Sequence, residues 1–249
     1  VNNSRSQYVI TYDVAKKQDA STLQIWRDSP EFIKGNNKLY LDDKTFHYFD
    51  LVFQTRMEMI SYVDQARMIA NLCGSEALKN DSDFLIDATG VGEPVVDIFK
   101  EFGLRPTPIV FTGGMDLTIK YEEQGRRFGG FGAGIGTMRT VAELCVPKND
   151  MIAAAQTMLQ QFRPRIAPDV EYQDQFKEQL VHFKGKVNEK TGYTSFNNDN
   201  PNIHDDFITT FIMAMWWFKH RGYMKDEQKV VKDKQQSYNW DPLGSPENF

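Results

Sequence analysis

Two cysteines, Cys73 and Cys145, are too few and too far apart in 249 residues for a disulfide framework or for metal-ligand spacing. They read as free, buried thiols of a protein kept in a reducing compartment. No run approaches the roughly 18–20 apolar residues of a membrane span, so no membrane partner is expected. The most apolar stretch, 207–218, is interrupted by Thr209 and Thr210. The N-terminus has no secretory-signal pattern. No G-x-x-x-x-G-K-[ST] run occurs, which excludes a P-loop for nucleoside triphosphates within these residues. Basic excess is missing too. Lys and Arg number 29 against 34 Asp and Glu, a formal net charge of −5, which is not what a simple nucleic-acid binder shows. A nucleic-acid partner then requires acids concentrated in a metal site and bases concentrated elsewhere.

What is present suits a globular protein with a full core: 41% of residues are hydrophobic and 25% charged. The expectation is one α/β domain over 1–220 and a polar tail over 221–249. Neither an internal repeat nor a linker is visible. The chain begins at Val1 with a polar lead, as a piece excised from something longer would.

Val, Ile, Thr and Tyr favour extended backbone, so 8–14 reads as a strand, with a second over 21–27 and a third over 46–53. Pro30, Gly35, Asn36 and Asn37 mark 28–45 as an irregular insertion. The period then changes. Met59, Val63, Ala66, Ala70 and Cys73 recur at helical spacing, with Gly74 as a stop. A fourth strand covers 83–87, a helix carries Val95, Phe99 and Phe102 up to Gly103, and a fifth strand covers 107–111. Three strands followed by helix–strand alternation predict a mixed sheet with helices on its faces. Beyond a glycine-rich stretch at 113–137 come a helix after Pro147 (Ile152, Ala155, Leu159, Phe162) and another marked by Tyr172, Phe176, Leu180 and Phe183. A hairpin over 184–196 and a last helix over 204–220 follow.

Carboxylates stand where these apolar elements start or stop. Asp13 ends the first strand, Asp87 ends the fourth in Ile86-Asp87-Ala88-Thr89-Gly90, and His204-Asp205-Asp206 opens the last helix. Each has a plain structural explanation, since Asp205 and Asp206 cap a helix well and Asp87 suits a turn. Together they are a different matter. Ligands bind beyond the carboxyl ends of strands, and clustered carboxylates repel unless a cation neutralises them. Oxygen-only ligands select Mg²⁺ or Mn²⁺. Two such ions, about 3.5–4 Å apart, would clamp the attacking water and the leaving oxygen of a phosphodiester. Asp13 is then the bridging ligand, Asp87 serves one ion and Asp206 the other. Asp205 and Asp19 are outer or alternative ligands, and His204 is a donor behind them.

The strand ending in Asp13, the run IDATGVG around Asp87 and the closing NIHDDFITTFIMA resemble the nuclease domain of phage terminase large subunits over roughly residues 8–220. The resemblance implies a ribonuclease H-like fold with an added β-hairpin region. It also implies a two-metal endodeoxyribonuclease that cuts concatemeric double-stranded viral DNA during packaging, with Asp13, Asp87 and Asp206 as its catalytic acids. Asp19 and Asp205 match positions that are acidic in some members. The family's packaging ATPase would lie elsewhere in a parent chain. Its partners would be the portal and the small terminase subunit, and its place the cytoplasm of the infected bacterium, at the procapsid portal.

Other sequence features are less telling. Gly130 to Gly136 lacks the strand–turn–helix setting of a dinucleotide site. With Arg126, Arg127 and Arg139 it forms instead a loop or hairpin suited to DNA phosphates, and Lys184, Lys186 and Lys190 are a second such set. A solvated basic face explains both sets equally well. Holliday-junction resolvases and integrases share the fold and the acids. An actin-like ATPase would need two glycine-rich phosphate turns, of which Thr89-Gly90-Val91-Gly92 offers one. A non-catalytic scaffold would keep the acids as caps.

Overall fold

Three runs rich in β-branched and aromatic residues fold as an antiparallel meander of β1 (Tyr8–Asp13), β2 (Ser21–Ile33) and β3 (Lys44–Met57). The helix α1 (Tyr62–Cys73) leads to β4 (Ser82–Asp87), and α2 (Glu93–Glu101) leads to β5 (Thr107–Thr112). Both new strands run parallel to β1. A hairpin of β6 (Thr118–Gly125) and β7 (Thr137–Pro147) extends the sheet, followed by α3 (Lys148–Gln160) and the short β8 (Pro164–Ile166). Then come α4 (Gln173–His182), a separate hairpin of β9 (Phe183–Val187) and β10 (Thr194–Asn198), and α5 (Asp206–His220). The computed structural model describes residues 6–15, 20–35, 44–90, 93–125, 137–187, 194–198 and 206–222; in 93, 121–125, 137–142, 186–187 and 194–198 it describes backbone without side chains.

The main sheet has the order β6-β7-β5-β4-β1-β2-β3-β8. Its inner five, β3-β2-β1-β4-β5 with only β2 running against the rest, form the ribonuclease H-like arrangement. Side chains alternate faces along a strand, so the sheet builds two cores. Val9, Leu85, Ile109 and Trp26 pack with α3, α4 and α5, while Ile10, Tyr12, Ile86 and Leu23 pack with α1 and α2. On the first face α5 is central. Every residue from Phe207 to Phe218 except Thr209 is buried, and an all-apolar helix has no other stable place. Trp26 and Phe176 close on Phe211 at 5.6 Å each, and Phe218 stacks on Phe49 at 4.0 Å.

The far edge is sealed differently. β8 adds three residues parallel to β3, and the Asp50 carboxylate accepts from Arg27, Ser29 and Arg165. Those bonds hold its carboxyl below the usual carboxylate range, against the opposing effect of burial. Arg165 and Arg163 lie over the rings of Tyr48 and Phe46.

Several sequence expectations are corrected. Both described ends of the supposed insertion at 28–45 contain strand: β2 continues through Pro30 to Ile33, paired with β3 from Lys44. Its pairing with β1 ends at Arg27, so Pro30 lies where β2 has β3 alone as neighbour, a position that tolerates a missing N–H. Met59 is fully exposed before α1, and Leu159 and Phe162 are exposed rather than in the core register of α3, which Met151, Ala154 and Met158 share with Ile152 and Ala155. β6 lies inside the glycine-rich stretch and β7 runs from its last residue to Pro147, two strands whose bounds the sequence did not mark. Both cysteines are free, but only half-buried. The last helix is described from Asp206, and both its expected start at 204–205 and the tail beyond 222 lie outside the described residues.

Truncating Phe211 to alanine removes the ring that joins β2, α4 and α5. The expected loss is about 3–5 kcal/mol, read as a lower urea midpoint with unchanged m-value. A loss below about 1 kcal/mol would show that α5 is not the keystone of this core.

Candidate metal centre

The hydrogen-bond register brings two of the predicted acids together. Asp13 and Asp87 are cross-strand partners at the carboxyl ends of the parallel pair β1 and β4. Asp13 is likewise opposite Thr22 of β2, and Thr22 is opposite Arg56 of β3. Paired residues share a face. That face is α5's, because Val9, Leu85 and Trp26, two or four residues away on each strand, all lie in the α5 core.

Asp206 reaches this edge because the start of α5 is pinned twice. The Thr22 hydroxyl donates to the Asp206 carbonyl at 2.9 Å, and the Phe207 N–H donates to Oε1 of buried Gln179 at 3.0 Å. The second bond satisfies one of the N–H groups that a helix start leaves open. Beneath, Trp26 donates to Gln24, Gln24 to Gln54 and Gln54 to the Glu171 carbonyl, so the floor of the site is a satisfied polar chain within the core. The Asp206 carboxylate itself lies 3.5 Å from Nη2 of Arg56.

Asp87 is the most enclosed of the acids at 8% exposure. Burial pushes its carboxyl above the usual carboxylate range, while the Thr89 hydrogen bonds and the charge of Lys148 pull it back. The Thr89 N–H donates to Asp87 Oδ1 at 2.8 Å, and the Thr89 hydroxyl accepts from Phe111 N–H at 2.9 Å. Gly90, at φ 77°, turns the chain out of the strand. Asp87 therefore organises a turn, as the plain structural explanation has it, and stands beside Asp13 at the same sheet edge.

Asp13 and Asp87 meet side by side. Asp206 is on the same face, its carbonyl held over Thr22, a residue two strands and so about 10 Å across the sheet from Asp87. Among the described residues no group of three His, Cys, Asp or Glu side chains is gathered around one point. The donors are nonetheless all oxygen, which fits a hard divalent cation, and a buried carboxylate beside a second one is the setting in which such a cation lowers the free energy. Asp19, Asp205, His204, Arg126, Arg127 and Lys190 lie outside the described residues. Arg139 is on β7 and Lys186 on β9, strands whose side chains there are not described, and Lys184 is exposed on β9.

Sequence reasoning missed Arg56 and Lys148. Arg56 lies three residues past the predicted end of the third strand, and Lys148 stands at the α3 start after Pro147, where attention went to the apolar register instead. The one legible signal was position, since each is basic and at the carboxyl end of a strand.

No protein-family model matches this chain, and no curated protein does. Among solved structures it is similar to the crystal structure of the HK97 bacteriophage large terminase, with a TM-score of 0.45 and 11% identity over 86% of this chain. The chain spans 40% of that terminase's length. A likeness this loose carries no inference about chemistry.

Asp87 has a consequence for stability. A raised folded-state pKa means that its favourable contribution is present below the unfolded value, about 3.9, and is lost as pH rises through the folded one. Ionised Asp87 thus costs stability at neutral pH when no divalent ion is present. Asp87→Asn, which keeps the acceptor for Thr89, is expected to raise the urea midpoint relative to wild type at pH 7 in chelator, with a smaller gain near pH 4. An equal change at both pH values would show that its ionisation costs nothing.

Proposed function

We propose that this chain is a metal-dependent endodeoxyribonuclease that hydrolyses phosphodiester bonds of double-stranded DNA. The observation that carries this is the register pair Asp13–Asp87 at the carboxyl ends of adjacent parallel strands, with the α5 start pinned beside them on the same face. Asp13, Asp87 and Asp206 are the residues that would hold two Mg²⁺ or Mn²⁺ ions, with Asp205 and Asp19 as further candidates. When bound, such ions supply a nucleophile at neutral pH and stabilise charge on the leaving oxygen.

The chain's own residues do the rest. The parallel strands fix Asp13 and Asp87 relative to each other, Thr89 orients the Asp87 carboxylate, and Thr22 with Gln179 fixes the entry of α5. Lys148 moderates the negative potential beside Asp87. Arg126, Arg127, Arg139, Lys184, Lys186 and Lys190 are the basic residues proposed to hold DNA phosphates, which answers the unfavourable net charge of −5.

The fuller proposal follows the motif resemblance. This would be the nuclease half of a viral genome-packaging motor, cutting concatemers at the procapsid portal in the infected bacterial cytoplasm. It would work with an ATPase domain of the same parent chain, the portal and the small terminase subunit. Holliday-junction resolution or integration is the alternative within the same chemistry. A second reading, a non-catalytic scaffold of this fold, is favoured by one observation: among the described residues the three acids are not gathered, and Asp206 faces Arg56.

Plasmid nicking separates these. Nicking of supercoiled DNA is expected with Mg²⁺ or Mn²⁺ and not with chelator. It should fall more than about a hundredfold in Asp13→Ala, Asp87→Ala and Asp206→Ala proteins whose circular dichroism is unchanged. The rate should also decline in acid, because the ligands must be deprotonated. Full activity in one variant removes that residue from the site. Silence of folded wild type with both metals favours the scaffold, and ATP hydrolysis favours the actin-like alternative.

A further inference from the structure

Arg56 stands among the acids, and metal ligation gives it no task. It is the cross-strand partner of Thr22, the residue that holds the Asp206 carbonyl. Its side chain is 22% exposed and lies between two carboxylates: Nη2 is 3.5 Å from Asp206 Oδ2, and Nε is 3.2 Å from Glu58 Oε1. The two acids differ in setting. Asp206 is 14% exposed, and Glu58 is 64% exposed at the rim.

Neither pair has the geometry of a strong one. Firm arginine–carboxylate pairs are forked, with N···O near 2.7–2.9 Å. Here Nε is buried and makes no aligned hydrogen bond among the described residues. Arg56 thus lends charge to Asp206 without locking onto it, and its Nε already lies against a second acid, Glu58, two residues along its own strand's exit. A divalent ion at Asp206 competes with a nearby guanidinium for the same field, since like charges this close repel.

We propose that Arg56 is a displaceable counter-cation for Asp206: Asp206 and the rim acid Glu58 share it when no divalent ion is bound, and Glu58 alone retains the guanidinium when one binds. The inference rests on Asp206 being a metal ligand, as proposed above. It assigns the chain a built-in threshold for metal loading. A site whose acids carry their own counter-charge stays compact without metal and fills only when metal is abundant enough to displace it. Binding must then carry the cost of moving Arg56, which scales the apparent affinity down to the fraction of molecules in which the Arg56–Asp206 pairing is open.

The test is calorimetric titration of Mn²⁺ into the whole chain, with the metal-induced shift in melting temperature as a second readout, neither of which needs turnover. Arg56→Gln is expected to bind Mn²⁺ about fivefold more tightly than wild type, the scale of a partly exposed ion pair. Arg56→Lys should stay nearer wild type, since it keeps the charge. Glu58→Gln should bind more weakly, and its effect should shrink by half or more in the Arg56→Gln background, because Glu58 acts through Arg56. Unchanged or weaker affinity in folded Arg56→Gln overturns the counter-cation and leaves the metal centre standing. If Arg56→Gln does not fold, Glu58→Gln decides: unchanged affinity overturns the proposal, and weaker affinity supports it. No Mn²⁺ binding by wild type sinks the metal centre itself.

Discussion

A helix that water must not reach sets the terms for this molecule. With Phe207 to Phe218 almost entirely apolar, α5 is stable only inside, and the parallel and antiparallel strands β1 and β2 supply the surface that covers it. A buried helix cannot leave its first N–H groups facing hydrocarbon, so its start must reach an edge where polar partners exist. Gln179 accepts the Phe207 N–H, while Thr22, at the carboxyl edge of the β1–β4 pair, donates to the Asp206 carbonyl and fixes that start in place. The demand for burial thereby carries Asp206 across more than a hundred residues of sequence to the end of the sheet where Asp13 and Asp87 stand.

Much of this was legible in the residues. The switch from period two to helical period after Phe53, the strand that ends in Asp87 and the apolar run after Asp206 all reported their elements. The adjacency of Asp13 and Asp87 needed one further fact, that β4 inserts beside β1 rather than beside β3. Local residues do not state it, because it is a property of the crossover through α1. The misplaced stretches share a cause. Pro30 reads as a breaker, yet beyond Arg27 β2 has only β3 beside it, so the lost N–H costs little there. Leu159 and Phe162 fit a helical period, yet α3 buries the stripe through Met151, Ala154 and Met158 instead, and apolar residues on an outer face leave no mark in a pattern.

The electrostatics of the edge follow from its construction. Strand ends concentrate acids, and acids this close require positive charge from somewhere. Lys148 supplies some to Asp87, and Arg56 supplies some to Asp206. Both come from the ends of neighbouring strands, so the same topology that gathers the negative charge also delivers its compensation. Asp87 and Asp206 are therefore not equivalent, although both are carboxylates at one edge. Each belongs to a different local balance of charge, and a cation arriving there meets two environments.

The opposite border of the sheet has a consequence for solubility. A long bare strand edge is a template on which a second molecule can add its own strand. Here the border beside β3 carries three residues of β8, flanked by two guanidinium groups laid across aromatic rings, of which Arg165 is tied to Asp50, a carboxyl held below its usual range, and Arg163 to the His47 carbonyl. At Phe49–Leu51 an approaching strand would find the β3 backbone already paired, and two guanidinium charges stand beside it. The middle of that border is thereby made a poor template for a second molecule's strand.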